Sequence, residues 1–86
     1  MTHKFHKNFL KEYTKLPHKL QQAVNNKLSL FENNPTAISL KTHSLSGKYK
    51  GYRSISITGD LRAIYKELYE NKVIFVKIGT HSKLYK

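Results

Sequence analysis

The chain is expected to fold as an α+β domain, two N-terminal helices packed on an antiparallel β-sheet of three to four strands, in the order (β)ααβββ. Three observations carry that expectation. Apolar residues recur at helical spacing as far as Asn33. From Tyr49 onward, short runs rich in β-branched and aromatic residues alternate with turn residues. At 86 residues the chain makes a single domain over 1–86, and helices followed by a strand meander fit a two-layer sandwich.

Met1 to His6 read either as a short strand or as a disordered start. From Lys4 to Leu16 the apolar positions Phe5, Phe9, Leu10, Tyr13 and Leu16 fall at helical spacing, beside a stripe of Lys4, Lys7, Lys11 and Lys15. The stripe reads first as the solvated side of an amphipathic helix and second as a phosphate-binding ridge. Pro17 suits the first turn of a second helix, whose buried stripe Leu20, Val24, Leu28 and Phe31 leads to Asn33. Asn33-Asn34-Pro35 stops it, because asparagine tolerates a left-handed cap and proline disfavours helix before it. With almost no loop between them, the two helices form an antiparallel pair.

Residues 35–47 are a loop anchored by Ile38, Leu40 and Leu45. Tyr49 to Ile57 takes on strand character, with Ile55 and Ile57 alternating against Ser54 and Ser56. Thr58-Gly59-Asp60 is a hairpin turn with the glycine at positive φ. A strand from Leu61 to Leu68, a turn at Glu70-Asn71, and a nearly continuous apolar strand from Val73 to Ile78, ended by Gly79, complete the order.

Sixteen Lys and Arg against five Asp and Glu leave a net charge of +11. On so small a domain that imbalance favours a polyanionic partner, RNA, DNA or an acidic protein. The absence of cysteine excludes a disulfide framework, a thiolate metal site and a cysteine nucleophile. No apolar run reaches the roughly 18 residues of a membrane span, and the N-terminus lacks an apolar signal segment. A soluble, cytoplasmic protein with no membrane partner is expected.

Polar chemistry concentrates in LKTHSLSGKYKGYRSISITGDLRAIY, Leu40 to Tyr65, which holds both arginines, Arg53 and Arg62, and the only aspartate, Asp60. His3, His6 and His18 lie on or beside the basic N-terminal surface and are expected to be exposed, without a special role. His43 and His81 differ. Each sits in a polar segment at the edge of the predicted sheet, in Thr42-His43-Ser44 and Thr80-His81-Ser82. Two histidines alone complete no ordinary metal site, so neither a metal nor another cofactor is expected.

The residues fit metal-independent RNA strand cleavage better. That reaction needs a base for the 2′-hydroxyl proton, cations for the charge on the phosphorane, and an acid for the departing 5′-oxygen. Imidazole serves as base or acid, and Arg53 and Arg62 are candidates for charge stabilisation. Lys48 and Lys50, interleaved with Tyr49 and Tyr52, suit backbone contacts beside stacking surfaces. Asp60 orients a histidine, binds a base edge or caps its own turn.

FENNP at 31–35, LKTHSLSGKYKGYRS at 40–54, GDLRAIY at 59–65 and IGTHSKLY at 78–85 together resemble the RelE/ParE superfamily of bacterial and archaeal type II toxins. Within it the chain is most similar to the YafQ-like branch of ribosome-dependent mRNA interferases. The resemblance covers nearly the whole chain. It implies a toxin of a type II toxin–antitoxin system, an endoribonuclease that cleaves mRNA in the ribosomal A site by 2′-hydroxyl attack. Its partners would be mRNA on the ribosome and a cognate acidic antitoxin that orders on the basic surface. By the same resemblance His81 matches a catalytic histidine, His43 a second active-site histidine and Asp60 an acidic active-site position. Arg62 matches a phosphate-stabilising arginine of the wider RelE group, and Tyr85 a C-terminal aromatic that positions the RNA.

The chain departs from the YafQ-like pattern on the strand after the basic run. Where that pattern carries an aspartate and a further histidine, Ser54 and Ser56 stand here, and the acid–base set is thinner. The first strand is also shorter. Two other readings stay open. One is a ParE-like non-nuclease toxin that inhibits DNA gyrase, since one scaffold hosts both activities. The other is a catalytically inactive RNA- or antitoxin-binding module.

Overall fold

In the computed structural model, residues 1–85 are described. They run β1 (Thr2–Phe5), α1 (Lys7–Thr14), α2 (His18–Asn33), β2 (His43–Ser44), β3 (Arg53–Ser56), β4 (Leu61–Tyr69), β5 (Lys72–Thr80) and α3 (His81–Leu84). Single 3-10 turns occupy Ile38–Leu40 and Gly47–Tyr49. The α+β class stands, but the sheet has five strands in the order β1-β5-β4-β3-β2, not three to four. It is mixed rather than antiparallel, because β1 pairs parallel with β5, from Thr2↔Lys72 to Phe5↔Phe75.

That pairing corrects the reading of the N-terminus. Lys4 and Phe5 belong to a strand, and the helix begins only at Lys7, where the His6 side chain caps it: Nδ1 accepts the Asn8 N–H at 3.0 Å. The apparent helical spacing of Phe5 and Phe9 is a strand-to-helix contact instead, their rings stacked at 5.1 Å. His3 is not an idle surface residue either. Its ring meets Phe5 and Phe75 edge-on. Lys7, Lys11 and Lys15 are exposed, as is Lys4 on its strand, so the lysines do not form one helical stripe.

Helix α2 follows the expected periodicity, with Val24, Leu28 and Phe31 buried and Pro17 just ahead of the first turn. Tyr13 of α1 donates to Asn25 Oδ1 at 2.8 Å and ties the two helices together. Both lay their apolar sides on one face of the sheet, where Phe9, Val24, Leu28 and Phe31 pack with Ile55, Ala63, Tyr65, Val73, Phe75 and Ile78. Leu40 is fully buried in this core, whereas Ile38, expected as a second anchor, is 93% exposed. One 3-10 turn cannot aim both side chains inward.

Glycine geometry shortens the third strand. Gly47 and Gly51 adopt φ of 63° and 91°, which glycine takes at no steric cost. The chain from Gly47 to Tyr49 therefore coils, and extended pairing starts at Arg53. In the β3–β4 turn the expectation fails: Gly59 is not among the residues at positive φ. The turn is held instead by Thr58, whose hydroxyl accepts the Leu61 N–H at 3.1 Å. Nor does Gly79 end the last strand, which continues to Thr80. A Cβ at Gly79 would lie 3.4 Å from Leu84 Cδ2, so glycine here lets α3 fold back onto the sheet.

Candidate active site

The face of the sheet turned away from α1 and α2 carries two rows of side chains, set by register. One row runs His43, Ser54, Ile64 and Lys77, and the other Ser56, Arg62 and Gly79. Residues in register on adjacent strands share a face, and neighbours along a strand do not. Ser54 and Ser56, which alternate with Ile55 and Ile57 along the chain, are themselves 0% and 8% exposed. Short α3 packs over Gly79 on this face, and Tyr49 meets Tyr85 beside it.

His43 hangs from the two-residue edge strand β2 and is held on both ring nitrogens. Nδ1 lies 3.0 Å from the Lys41 carbonyl oxygen, which only accepts, so the neutral ring carries its proton there. Nε2 then has a lone pair, and the Ser54 hydroxyl lies 3.4 Å from it. Lys41 adopts a left-handed φ of 48°, which turns its carbonyl to that use.

His81 arrives from the other end of the chain as the first residue of α3. Thr80 Oγ1 accepts the Lys83 N–H at 3.3 Å and caps the helix. The His81 N–H donates to the Asp60 carbonyl at 3.0 Å, which fastens α3 to the β3–β4 turn. Asp60 thereby stands beside His81 with its side chain exposed; the turn-capping role weighed for it belongs to Thr58. The ring of His81 packs on Tyr85 at 4.7 Å. His43, Ser44, Leu45, Ser46, His81 and Tyr85 line one open cleft of about 260 Å³.

Arg62 lies on this face with its guanidinium anchored: Nη1 donates to the Thr58 carbonyl at 2.9 Å and the Leu61 carbonyl at 3.3 Å. An arginine has five N–H donors, so such anchoring aims the fork without exhausting it. Arg53 does not join it. It is in register with Tyr65, whose ring belongs to the helix-side core, and it lies 3.7 Å from Glu67. Half-exposed near the sheet edge, it lines one groove with Met1, Ala37, Ile38 and Tyr65 and another with Ser44, Tyr52 and Lys66, and neither holds His43 or His81. The expectation that both arginines serve one site is corrected by this one-residue alternation.

Lys48 Nζ sits 5.3 Å from the Tyr49 ring centroid, Lys50 is exposed, and Tyr49 meets Tyr85 edge-on at 6.0 Å. Burial, then the nearby Tyr85 and Glu12 charges, raise the Tyr49 pKa above 10.0, so its hydroxyl stays protonated at neutral pH. The Tyr85 hydroxyl is buried with no hydrogen-bond partner among the described residues. No group of three histidine, cysteine or carboxylate side chains able to hold a metal ion occurs among those residues. Ser54 as a partner of His43 was missed in the sequence, where it registered only as a departure. Lys77 was missed too, though a lone lysine inside the apolar run of β5 was a readable signal.

The profile of the bacterial toxins of type II toxin–antitoxin systems, YafQ, matches residues 1–86. The chain belongs to the YafQ toxin family. Among solved structures, YafQ from E. coli superposes with a TM-score of 0.78 at 27% identity, over 98% of this chain and 97% of that one. YafQ in the E. coli DinJ–YafQ complex gives 0.76 at 27% identity, with the same coverage. The YoeB/ParE toxin from Agrobacterium tumefaciens, at 19% identity and a TM-score of 0.75 over 94% of this chain and 99% of that one, shares the fold. No curated protein sequence is significantly similar. As a YafQ toxin, the chain is the toxin component of a type II toxin–antitoxin system. No helix of the described residues is long and apolar enough to cross a membrane.

Proposed function

We propose that this toxin is an endoribonuclease that cuts mRNA on the ribosome without a metal ion. The observation that carries the reading is the shared cleft of His43 and His81, two imidazoles from opposite ends of the fold, with Arg62 on the same face. In the proposed reaction His43 Nε2, which holds the lone pair, takes the proton from the 2′-hydroxyl. O2′ then bonds to the adjacent phosphorus and the P–O5′ bond breaks. His81 gives its proton to the departing O5′, leaving a 2′,3′-cyclic phosphate and a 5′-hydroxyl. Arg62 stabilises the phosphorane charge, and the ring of Tyr85, lining the cleft beside His81, positions the RNA. Asp60, beside His81, supports the imidazolium.

The natural partner is proposed to be an acidic antitoxin, as a relative is crystallised with DinJ and a +11 surface complements such a chain. A second reading, a binding module without cleavage, draws on Ser54 and Ser56 in place of acid–base groups. A toxin that acts only by binding gyrase has no chemical need for paired imidazoles.

Incubation with programmed, translating ribosomes and mapping of mRNA 5′ ends separates these. The wild type should cut, and His81→Ala should slow cutting by about 10²–10⁴-fold, the usual worth of a positioned acid or base. Cuts no more frequent with wild type than with His81→Ala would sink the nuclease reading.

A further inference from the structure

Beside the histidine cleft lies a second one that the proposed reaction leaves unused. It has a volume of about 280 Å³ and is lined by His6, Lys48, Tyr49, Tyr52 and Lys77, among others. The two clefts are joined by a run of rings. His81 packs on Tyr85 at 4.7 Å, Tyr85 on Tyr49 at 6.0 Å, and Tyr49 on Tyr52 at 6.4 Å. Lysines accompany the run: Lys48 Nζ sits 5.3 Å from the Tyr49 centroid and Lys66 Nζ 5.7 Å from that of Tyr52. Lys77 closes the far end of the row that starts at His43. At about 4.8 Å between adjacent strands, three strand steps put its backbone about 14 Å from that of His43. His6 adds a donor, because its Nδ1 accepts from Asn8 and the neutral ring therefore carries its proton on Nε2.

We infer that this second cleft is a nucleotide-binding subsite for the mRNA residue flanking the cleaved bond. Its base stacks on Tyr52 and its phosphate is held by Lys48 and Lys77. The inference rests on the nuclease reading and extends it from the bond cut to the sequence around it. Sequence-tolerant binding of single strands uses this pairing of aromatic faces with a cationic track. An acidic peptide would satisfy the lysines but leave the ring path from His81 unexplained.

The test uses the full chain on programmed ribosomes, with mRNAs that are either intact or lack the base at the positions flanking the cut. Tyr52→Ala should slow cleavage about five- to hundred-fold, the worth of one stacked base, and Tyr52→Phe, which keeps the ring, should recover most of that loss. Removing the flanking base should slow the wild type by a similar factor and leave Tyr52→Ala nearly indifferent. Lys77→Gln, a surface change, should weaken binding of a 2′-O-methylated, uncleavable single-stranded RNA and flatten its log–log salt dependence by about 0.7, one phosphate contact.

Wild-type cuts whose rate ignores Tyr52→Ala, Lys77→Gln and the missing base overturn the subsite while the nuclease reading survives. A loss in Tyr52→Ala that the missing base does not reproduce overturns the assignment to mRNA and points to ribosomal RNA. Loss of antitoxin binding with cleavage intact makes the cleft a protein-docking surface, which also overturns the inference. No cuts by wild type in any message would remove the nuclease reading and the subsite together.

Discussion

On the face turned to the helices, β3 and β4 present Ile55, Ala63 and Tyr65, all packed against Phe31, Phe75 and their neighbours. On the other face the same two strands present Ser54, Ser56 and Arg62, next to Gly79 and the α3 that packs on it, with Ile64 the buried apolar exception. Ser54 and Ile55 are adjacent and equally inaccessible, both 0% exposed, yet one contacts an imidazole and the other fills a core. Burial therefore does not separate structural from functional residues in this sheet; the row each belongs to does. Small side chains on the second face, Ser54, Ser56 and Gly79, leave room for short α3 to fold over the strands and bring His81 toward His43.

The comparison breaks most sharply at the adjacent pair. Ile55→Ala should cost about 2–5 kcal/mol of stability, read by urea denaturation, through lost transfer energy and the cavity left behind. The protein that remains folded should retain its activity per molecule. Ser54→Ala should do the reverse. Its stability should change little, while cleavage falls about five-fold, the rate equivalent of one hydrogen bond near 1 kcal/mol. A stability loss for Ser54→Ala as large as that for Ile55→Ala would show the two faces to be one core.

The smallest effect concerns one tyrosine from each face. Burial raises the pKa of Tyr65, with Arg53 opposing, and also that of Tyr49, both above 10.0. A raised folded pKa means that the unfolded chain loses its proton first. Stability from these groups is thus intact below about pH 10 and declines as pH rises through the folded values. Tyr65→Phe and Tyr49→Phe should each flatten that decline in melting temperature between pH 9 and 11. An unchanged slope in both variants would contradict the shifts.

Much of the scaffold was legible. Helix α2 announces itself through Val24, Leu28 and Phe31 and its Asn-Pro stop, and the apolar run of β5 identifies an interior strand. These are local patterns, carried by periodicity within one element. What was not legible depends on partners far along the chain. Phe5 mimics a helical position because it contacts Phe9, and only its pairing with Phe75 reveals the strand. Ile38 looks like an anchor until the turn leaves it in water. In the site, His43, His81, Arg62 and Tyr85 were named from motifs, while Arg53 was grouped with them because sequence proximity says nothing about which side of a sheet a residue occupies. Ser54 and Lys77 gain their meaning only from the row they share with His43.

By itself, the sequence determined an α+β domain of strongly basic charge, its second helix and last strands, and the residues able to do acid–base chemistry. Tertiary structure decided that β1 closes the sheet in parallel, that Arg53 stays out of the cleft it was grouped with, and that His43 and His81 line one cleft. The physical reason is that helical stripes and apolar runs are properties of neighbouring residues. Sidedness and convergence come from strand register, which is settled by hydrogen bonds between segments dozens of residues apart.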